Sequence, residues 1–242
     1  MKSTIFLVIS LVLIGGLGFV LFEEQKKSNL TFPDFGAALP RHHEVLGIDV
    51  SHHQGHINWD LVLKMIIEGD SIQFAFIKLT EGTDFIDKDA KRNSEALLKA
   101  KIPFGYYHFY NPKESATAQA NYLIENAAKT TLKPVLDIEI KGELTKSQLI
   151  DSIVLFMTIV ERQLGVIPII YTYESFYSDL LASSSLQNEW FWIANYTGKS
   201  AAFDKQNVIA WQFTDKGTVD GISEKVDLNT AKPNFWKVAV WE

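Results

Sequence analysis

Strand-like and helix-like segments alternate along most of the chain, and this alternation restricts the possible folds more than any other feature. The strand-like segments are short runs rich in β-branched and aromatic residues: VLGIDVSH, FAFIKLT, IPFGYYHFY, KPVLDIEI, IPIIYTY, WFWIAN, VIAWQFT and KVDLN. Helix-like segments separate the first five of them: NWDLVLKMIIEG, DKDAKRNSEALLKA, SATAQANYLIENAAKT and LTKSQLIDSIVLFMTIVERQLG. Strands joined by helical crossovers run parallel. We therefore predict an α/β fold, a modified (β/α) barrel of about eight mostly parallel strands.

The composition is that of a globular protein with a large core. The 242 residues are 47% hydrophobic and 21% charged, which supplies enough apolar material for a core of barrel size. The chain has no cysteine, so disulfides, thiolate zinc sites and thiol nucleophiles are excluded. The formal net charge is −6 and no basic stripe is present, so we expect no nucleic-acid partner.

An apolar segment at the N-terminus precedes the globular part. The run from Thr4 to Phe22 contains no charged residue, and as a helix it would span roughly 28 Å, nearly the width of a bilayer core. It is interpreted either as a signal peptide cleaved after Gly18 or as an uncleaved membrane anchor. Lys2 on the short flank keeps the N-terminus inside. We therefore expect export to the cell envelope, with the protein either membrane-anchored or secreted.

The chain is accordingly divided into three regions. Residues 1–27 are the signal peptide or membrane anchor. Residues 28–44 contain two prolines and a glycine and are predicted to be a linker. Residues 45–242 hold all of the alternating segments and are predicted to form the barrel.

The segment PVLDIEI, residues 134–140, places two carboxylates in a run that otherwise resembles a buried strand. Alternate residues of a strand share a face, so Asp137 and Glu139 point the same way as Val135. The other face carries only aliphatic side chains, which suit a covering layer of helices: Leu136, Ile138 and Ile140. In a barrel the acidic face would look into the lumen at the carboxyl end of the strand, where active sites of this architecture lie.

Two such carboxylates would repel and desolvate one another, which raises the pKa of at least one of them. A carboxyl with a raised pKa can donate a proton, as the acid of a glycosidase must. A structural explanation remains open at this point, because a buried Lys or Arg could neutralise each carboxylate in a salt bridge.

Other predicted strand ends carry similar residues. Asp49 lies in GIDVSHHQG, and Asp227 lies in VDLN, so four carboxylates from three strand ends can converge. His52 and His53 raise the question of a metal, but adjacent histidines point apart and no histidine pair has the spacing of a helical zinc motif. We therefore expect no metal site. A serine nucleophile is also disfavoured, because the chain has no G-x-S-x-G elbow.

Aromatic residues cluster at or near the same strand ends, where flat rings stack on sugar faces in many glycan sites. Core packing is the alternative explanation for each of them. The candidates are Tyr106, Tyr107, Phe109, Tyr110, Tyr171, Tyr173, Trp190, Trp192 and Trp211.

The segments between Val45 and Asn229 resemble the glycoside hydrolase family 25 lysozymes, the Chalaropsis-type muramidases. The resemblance is carried, in order, by GIDVSHHQGHINWDLV, FAFIKLTEGTDFIDKDAKRN, IPFGYYHFY, QANYLI, PVLDIEI, IIYTYESFY, FWIANY and IAWQFTDKGTVDGISEKVDLN. It implies a modified barrel that hydrolyses the β-1,4 bond between N-acetylmuramic acid and N-acetylglucosamine in peptidoglycan glycan strands. It also implies that no cofactor is needed, and we expect a monomer.

The resemblance also implies roles for individual residues. Glu139 matches the general acid and base, and Asp137 matches the residue that stabilises the intermediate. Asp49 and Asp227 match the remaining acidic positions of the site. The positions that line the family's sugar cleft are Lys78, Tyr107, Tyr171, Trp192 and Gln212. Asn58 and Leu79 depart from the common pattern, but neither position is catalytic.

Several points stay open on the sequence alone. The resemblance implies that configuration is retained, with either the substrate's own acetamido oxygen or an aspartate as the nucleophile. Two other functions are alternatives: hydrolysis of another N-acetylated glycan such as chitin, and glycan binding without turnover.

Overall fold

The computed structural model describes residues 45–67 and 70–242. The predicted signal peptide or anchor, residues 1–27, and the predicted linker, residues 28–44, lie outside the described residues. Within the described part of the chain, no helix is both long enough and apolar enough to cross a membrane.

The regular elements follow the predicted order. The strands are β1 (Val45–Val50), β2 (Ile66–Ile67), β3 (Asp70–Ser71), β4 (Phe74–Glu81), β5 (Phe85–Ile86), β6 (Phe104–Phe109), β7 (Val135–Asp137), β8 (Ile169–Tyr173), β9 (Phe191–Ala194), β10 (Val208–Gly217) and β11 (Val226–Ala231). The α-helices are α1 (Trp59–Val62), α2 (Ala90–Ala100), α3 (Ala116–Asn126), α4 (Lys146–Leu164), α5 (Glu174–Phe176) and α6 (Phe235–Ala239). A 3₁₀ turn covers His52–Gln54, and a π-helical turn covers Tyr177–Leu181.

Eight strands close into a barrel, which confirms the predicted fold class. Their order around the barrel is β1, β4, β6, β7, β8, β9, β10, β11. The barrel closes because β1 pairs with β4 on one side and with β11 on the other. All neighbours are parallel except β11, which is antiparallel to both β10 and β1. The reversal follows from the connection before it, because the short loop 218–225 contains no crossover helix and turns the chain straight back.

The alternation of side chains along the strands separates two apolar layers. One layer fills the barrel and includes Phe74, Phe76, Val135, Ile169 and Trp192. The other lies between the sheet and the helices: it contains Ile48, Ile77, Leu136, Ile138 and Ile170 from the strands, and Leu149, Ile153, Phe156 and Val160 from α4.

Helix α4 begins and ends as the sequence predicts. The Thr145 hydroxyl accepts a hydrogen bond from the backbone N–H of Gln148, and the Gln148 side chain accepts one from the backbone N–H of Thr145. Gly165 ends the helix in the left-handed region at φ 72°. The long apolar stripe of α4 packs on the outer face of the sheet, beside α3.

Two local predictions are wrong. NWDLVLKMIIEG is helical only over Trp59–Val62, after which Ile66 and Ile67 pair with Ser71 and Asp70 in a small hairpin. The β-branched pair Ile66 and Ile67 favours strand over a further helical turn. In PVLDIEI the strand ends at Asp137, and Ile140 is 49% exposed instead of packing under the helices.

Gly47 lies on the inner face of β1, where the barrel has no room for a larger residue. A Cβ at this position would lie 2.3 Å from Cζ of Phe74, whose ring packs 4.6 Å from that of Phe235. We expect Gly47→Ala to lower the free energy of unfolding by about 1–3 kcal/mol, because the ring must shift within a closely packed core. Urea unfolding would measure this. The double variant Gly47→Ala/Phe74→Leu should recover part of the loss, and an unchanged midpoint for the single variant would contradict the prediction.

Candidate active site

A cavity of about 360 Å³ opens at the carboxyl ends of the parallel barrel strands. Because β11 is antiparallel, its first residues lie at this same end. All nine residues predicted from the sequence line the cavity: Asp49, Lys78, Tyr107, Asp137, Glu139, Tyr171, Trp192, Gln212 and Asp227. They come from eight different strands or strand ends, so only closure of the barrel brings them together.

Asp137 and Glu139 form a carboxyl pair at the end of β7. Asp137 is buried, with 5% of its surface exposed, whereas Glu139 lies two residues beyond the strand and is partly exposed. The two carboxyls are hydrogen bonded to each other. Burial and then the charge of Glu139 raise the pKa of Asp137 well above its usual range, and burial also raises the pKa of Glu139. The pair therefore holds a proton above the pH at which a solvated carboxyl would lose it.

The Tyr173 hydroxyl is a further hydrogen-bond partner of Glu139. Burial, together with the negative charge of Glu139, raises the pKa of Tyr173 to about 12. The phenol therefore stays protonated and donates a hydrogen bond to the Glu139 carboxylate.

Asp49 and Asp227 form a second carboxyl pair across the antiparallel ladder. They are directly opposite each other in the register of β1 and β11, an arrangement that is unfavourable for two like charges. Burial and the charge of Asp49 raise the pKa of Asp227 to about 9. Burial also raises the pKa of Asp49, although hydrogen bonds from neighbouring side chains oppose that shift. Asp227 is therefore protonated at neutral pH and hydrogen bonds to Asp49.

Two amide side chains fix the orientation of Asp49. Its Oδ2 accepts hydrogen bonds from Nε2 of Gln212 at 2.9 Å and from Nδ2 of Asn229 at 2.8 Å. Trp192 orients the second amide in turn, since its indole Nε1 donates to Oδ1 of Asn229 at 2.8 Å.

Two phenols orient the amide of Gln212. The Tyr171 hydroxyl donates to Oε1 of Gln212 at 2.7 Å, and the Tyr196 hydroxyl donates to the same atom at 2.5 Å. Both lone-pair directions of the oxygen are used, so the amide nitrogen must face Asp49. Asp49 thus has a fixed position, whereas Oδ1 of Asp137 is buried with no partner in the described residues.

Lys78 is the cation that lines the cavity. Its Nζ lies 2.5 Å from Oε2 of Glu81 and 5.1 Å from the ring centroid of Phe109. Within residues 45–67 and 70–242, none of the five cavity carboxylates, which include Asp215, forms an ion pair with a Lys or Arg within 4.0 Å. The structural salt-bridge explanation left open by the sequence is therefore not supported by this geometry.

The histidines of the first strand end do not form a metal site. Nδ1 of His52 lies 2.8 Å from Oδ2 of Asp87, whereas His53 lines the cavity. In the part of the chain that the structure describes, no group of three or more His, Cys, Asp or Glu side chains is arranged to hold a metal ion.

The predicted aromatic residues divide according to the face of the strand that carries them. Tyr107, Phe109, Tyr171, Tyr173 and Trp192 line the cavity. By contrast, Tyr106, Tyr110 and Trp211 pack in the layer between the sheet and the helices. Trp190 lies before β9, at the other end of the barrel.

Two cavity residues, Tyr196 and Asp215, were not predicted from the sequence. Tyr196 continues the alternation of Trp192 and Ala194 beyond β9, so its position on the inner face could have been inferred. Asp215 follows a register shift in β10 between Gln212 and Thr214. Such a bulge breaks the alternation, and no pattern in the sequence indicates it.

Comparison with known families agrees with this geometry. The model of the family described as glycosyl hydrolases family 25 matches residues 48–222. The chain belongs to this family. The matched range contains Asp49, both carboxyls of the β7 pair and Gln212, and it ends shortly before Asp227.

Individual proteins are similar over most of the chain. The uncharacterized protein YegX of Escherichia coli K12 is 34% identical over 197 residues, which is 81% of this chain and 72% of YegX. Lysozyme M1 of Streptomyces globisporus is 34% identical over 202 residues, or 76% of this chain and 67% of that protein. The solved structure of a family 25 glycosyl hydrolase from Bacillus anthracis superposes with a TM-score of 0.73 at 25% identity, covering 87% of this chain and all of the other.

Proposed function

We propose that this protein is a peptidoglycan muramidase, a lysozyme that hydrolyses the β-1,4 bond between N-acetylmuramic acid and N-acetylglucosamine. The observation that carries the proposal is the hydrogen-bonded pair Asp137 and Glu139 at the mouth of a family 25 barrel. The similarity to Lysozyme M1 supports the choice of substrate.

In this proposal Glu139 acts first as general acid and then as general base. Its partial exposure lets it reach a glycosidic oxygen bound in the cleft, and its raised pKa keeps a proton available for the leaving group. Asp137, deeper in the cavity, is suited to stabilise positive charge that develops on the reacting sugar.

The spacing of the pair favours retention of configuration. An inverting glycosidase needs its two carboxyls roughly 6.5–9.5 Å apart to admit a water molecule between them and the sugar. The side-chain hydrogen bond between Asp137 and Glu139 places these carboxyls closer together than those of an inverting pair. Direct attack by Asp137 and attack by the acetamido oxygen of the substrate are both compatible with retention, and we propose the second, with the buried Asp137 orienting the amide.

The sugar-binding roles predicted from the sequence are retained in part. Lys78 and Tyr107 remain candidates for polar contacts with the glycan, whereas Tyr171 and Gln212 are 5% and 2% exposed and are hydrogen bonded to each other. The ring of Trp192 is stacked 4.9 Å from Phe76 and meets Tyr171 edge to face at 4.5 Å, so it is committed to packing. The rings available for stacking on sugar are those of Tyr173 and Tyr196, which are 37% and 40% exposed.

Product analysis would test the proposed reaction. Mass spectrometry of fragments released from purified peptidoglycan should show new reducing ends at N-acetylmuramic acid. Faster hydrolysis of chitin oligomers than of peptidoglycan fragments would favour the chitinase alternative. Binding of peptidoglycan with no released product would favour the glycan-binding alternative.

Tyr196→Phe is expected to lower the turnover number by roughly five- to tenfold. The change removes one hydrogen bond, worth about 1 kcal/mol, from the amide that orients Asp49. Steady-state kinetics on a soluble oligosaccharide would show a fall in kcat larger than any rise in KM. Tyr122→Phe, on α3 and away from the cavity, is the matched control, and equal kcat values for the two variants would contradict the positioning role of Tyr196.

We further propose that the barrel acts outside the cytoplasmic membrane, tethered by the segment within residues 1–27. The uncharged run from Thr4 to Phe22 supports this. Val45 begins β1 at the end of the barrel opposite the cavity, so a tether attached there is remote from the cleft. Cell fractionation is the test: full-length protein in the membrane pellet is expected, and a soluble product starting near Phe19 would show a cleaved signal peptide instead.

A further inference from the structure

A second cavity, of about 600 Å³, lies at the amino-terminal end of the barrel, opposite the catalytic cavity. Its walls come from residues that precede β7, β8 and β9 and from α6 and the residues after it. Its size is that of a typical small-molecule or oligosaccharide site. The mechanism proposed above uses none of its residues.

The lining combines two indoles with charged groups of both signs. Trp190 and Trp241 supply the indoles and are both partly exposed. The charged groups are the ammonium groups of Lys133 and Lys237 and the carboxylates of Glu161, Glu189 and Glu242. Indole rings are preferred surfaces for stacking on sugars, and charged groups of both signs suit a ligand that carries both carboxylates and ammonium groups.

The side-chain polar atoms of this lining have few partners within the protein. Within the described ranges, no side-chain hydrogen bond or ion pair within 4.0 Å involves the five charged groups or either indole N–H. The contacts present are longer ones: the charge of Glu242 acts on Lys133, and Nζ of Lys129 lies 5.9 Å from the ring centroid of Trp241. Burial nevertheless lowers the pKa of Lys133 and raises the pKa of Glu189, so both groups are partly withdrawn from water. Polar groups that lose solvent without gaining a protein partner are satisfied most readily by a ligand.

We propose that the cavity around Trp190 and Trp241 is a second, non-catalytic binding site for peptide-bearing peptidoglycan. A sugar ring would stack on an indole, and the peptide's carboxylates and amines would meet the lysines and glutamates. The inference rests on the proposed function for its choice of ligand. A site of this kind would retain the enzyme on the wall, which the net charge of −6 cannot do by attraction to an anionic polymer.

The test measures binding of the full chain to purified insoluble peptidoglycan in a Glu139→Gln background, so that the substrate is not consumed. Trp241→Ala is expected to raise the apparent Kd by about tenfold, the usual effect of removing a central aromatic residue. Trp241→Phe should keep most of the affinity. Lys237→Gln and Glu161→Gln, both at exposed positions, should each weaken binding by about three- to fivefold.

Controls separate this site from the catalytic cleft. Lys99→Gln changes an exposed lysine on α2, outside the cavity, and should leave binding unchanged. In the active chain, Trp241→Ala should hydrolyse a short soluble oligosaccharide at the parental rate. Glycan strands stripped of peptide should keep the dependence on Trp241 and lose the dependence on Lys237 and Glu161.

The outcomes are distinct. Parental affinity in the Trp241→Ala, Lys237→Gln and Glu161→Gln variants would overturn the second site. If Trp241→Ala is unfolded by circular dichroism, the two exposed charge variants decide the question. If the active parent releases no product from peptidoglycan, the proposed function fails, while the binding comparison still tests the cavity.

Discussion

Glu139→Gln is expected to lower the rate of peptidoglycan hydrolysis by at least about 10², because the leaving oxygen loses its proton donor. The amide has nearly the volume of the acid, and the side chain is only partly buried, so the fold should be preserved. The change also removes one member of the carboxyl pair, and the pKa of Asp137 should then fall, since the charge of Glu139 is one cause of its elevation. Turnover on soluble oligosaccharides and thermal unfolding would be measured side by side.

The matched control is Glu143→Gln, an exposed change in the loop that follows β7. It should retain the parental rate. Near-normal turnover of Glu139→Gln would mean that another residue donates the proton. A loss of activity accompanied by a large fall in melting temperature would point to a structural role.

Asp137→Asn is expected to lower the rate by about 10²–10³, because a carboxylate that compensates developing positive charge becomes a neutral amide. We expect smaller losses for the same substitution at Asp49 and Asp227, which lie in the second pair. Stability should rise at the same time, because Asp137 is buried, forms no ion pair within 4.0 Å in the described residues and faces other carboxyls, whose effect on its pKa exceeds that of Lys78.

The pH dependence of this gain has a definite sign. The pKa of Asp137 is raised in the folded protein above the ordinary value of 3.8, so the folded state binds its proton more tightly than the unfolded state. Well below pH 3.8 the carboxyl is protonated in both states, so its ionisation does not lower the free energy of unfolding. As pH rises through the interval up to the folded pKa, the unfolded chain ionises first and stability falls.

The asparagine side chain does not titrate, so the stability advantage of Asp137→Asn should be larger at about pH 8 than at about pH 4. Thermal unfolding of the parent and the variant at both pH values would test this. Asp151→Asn, at an exposed position of α4, should show no such trend. A variant that melts below the parent at both pH values would indicate a structural salt bridge instead.

Local patterns in the sequence were enough to predict the barrel and most of the residues that line its site. Period-two alternation predicted the inner face for Asp137, and the resemblance to family 25 placed Tyr171 and Trp192 in the sugar cleft; all three line the cavity. The β7 pair could be found because both acids lie in a single strand and its continuation. The similarity of eight ordered segments to family 25 then gave the reaction class, which the family match to residues 48–222 supports.

The remaining features depend on contacts between distant segments. Asp49 meets Asp227 only because β11 closes the barrel antiparallel to β1, and no local pattern encodes that register. The bulge in β10 brings Asp215 to the cavity against the expected alternation. The sequence predicted that Trp192 contacts sugar, but in the closed barrel its ring stacks on Phe76 and its N–H donates a hydrogen bond to Asn229. Side-chain periodicity is a local property of the backbone and can be read from the sequence, whereas register, bulges and ring packing are decided by the free energy of the whole core.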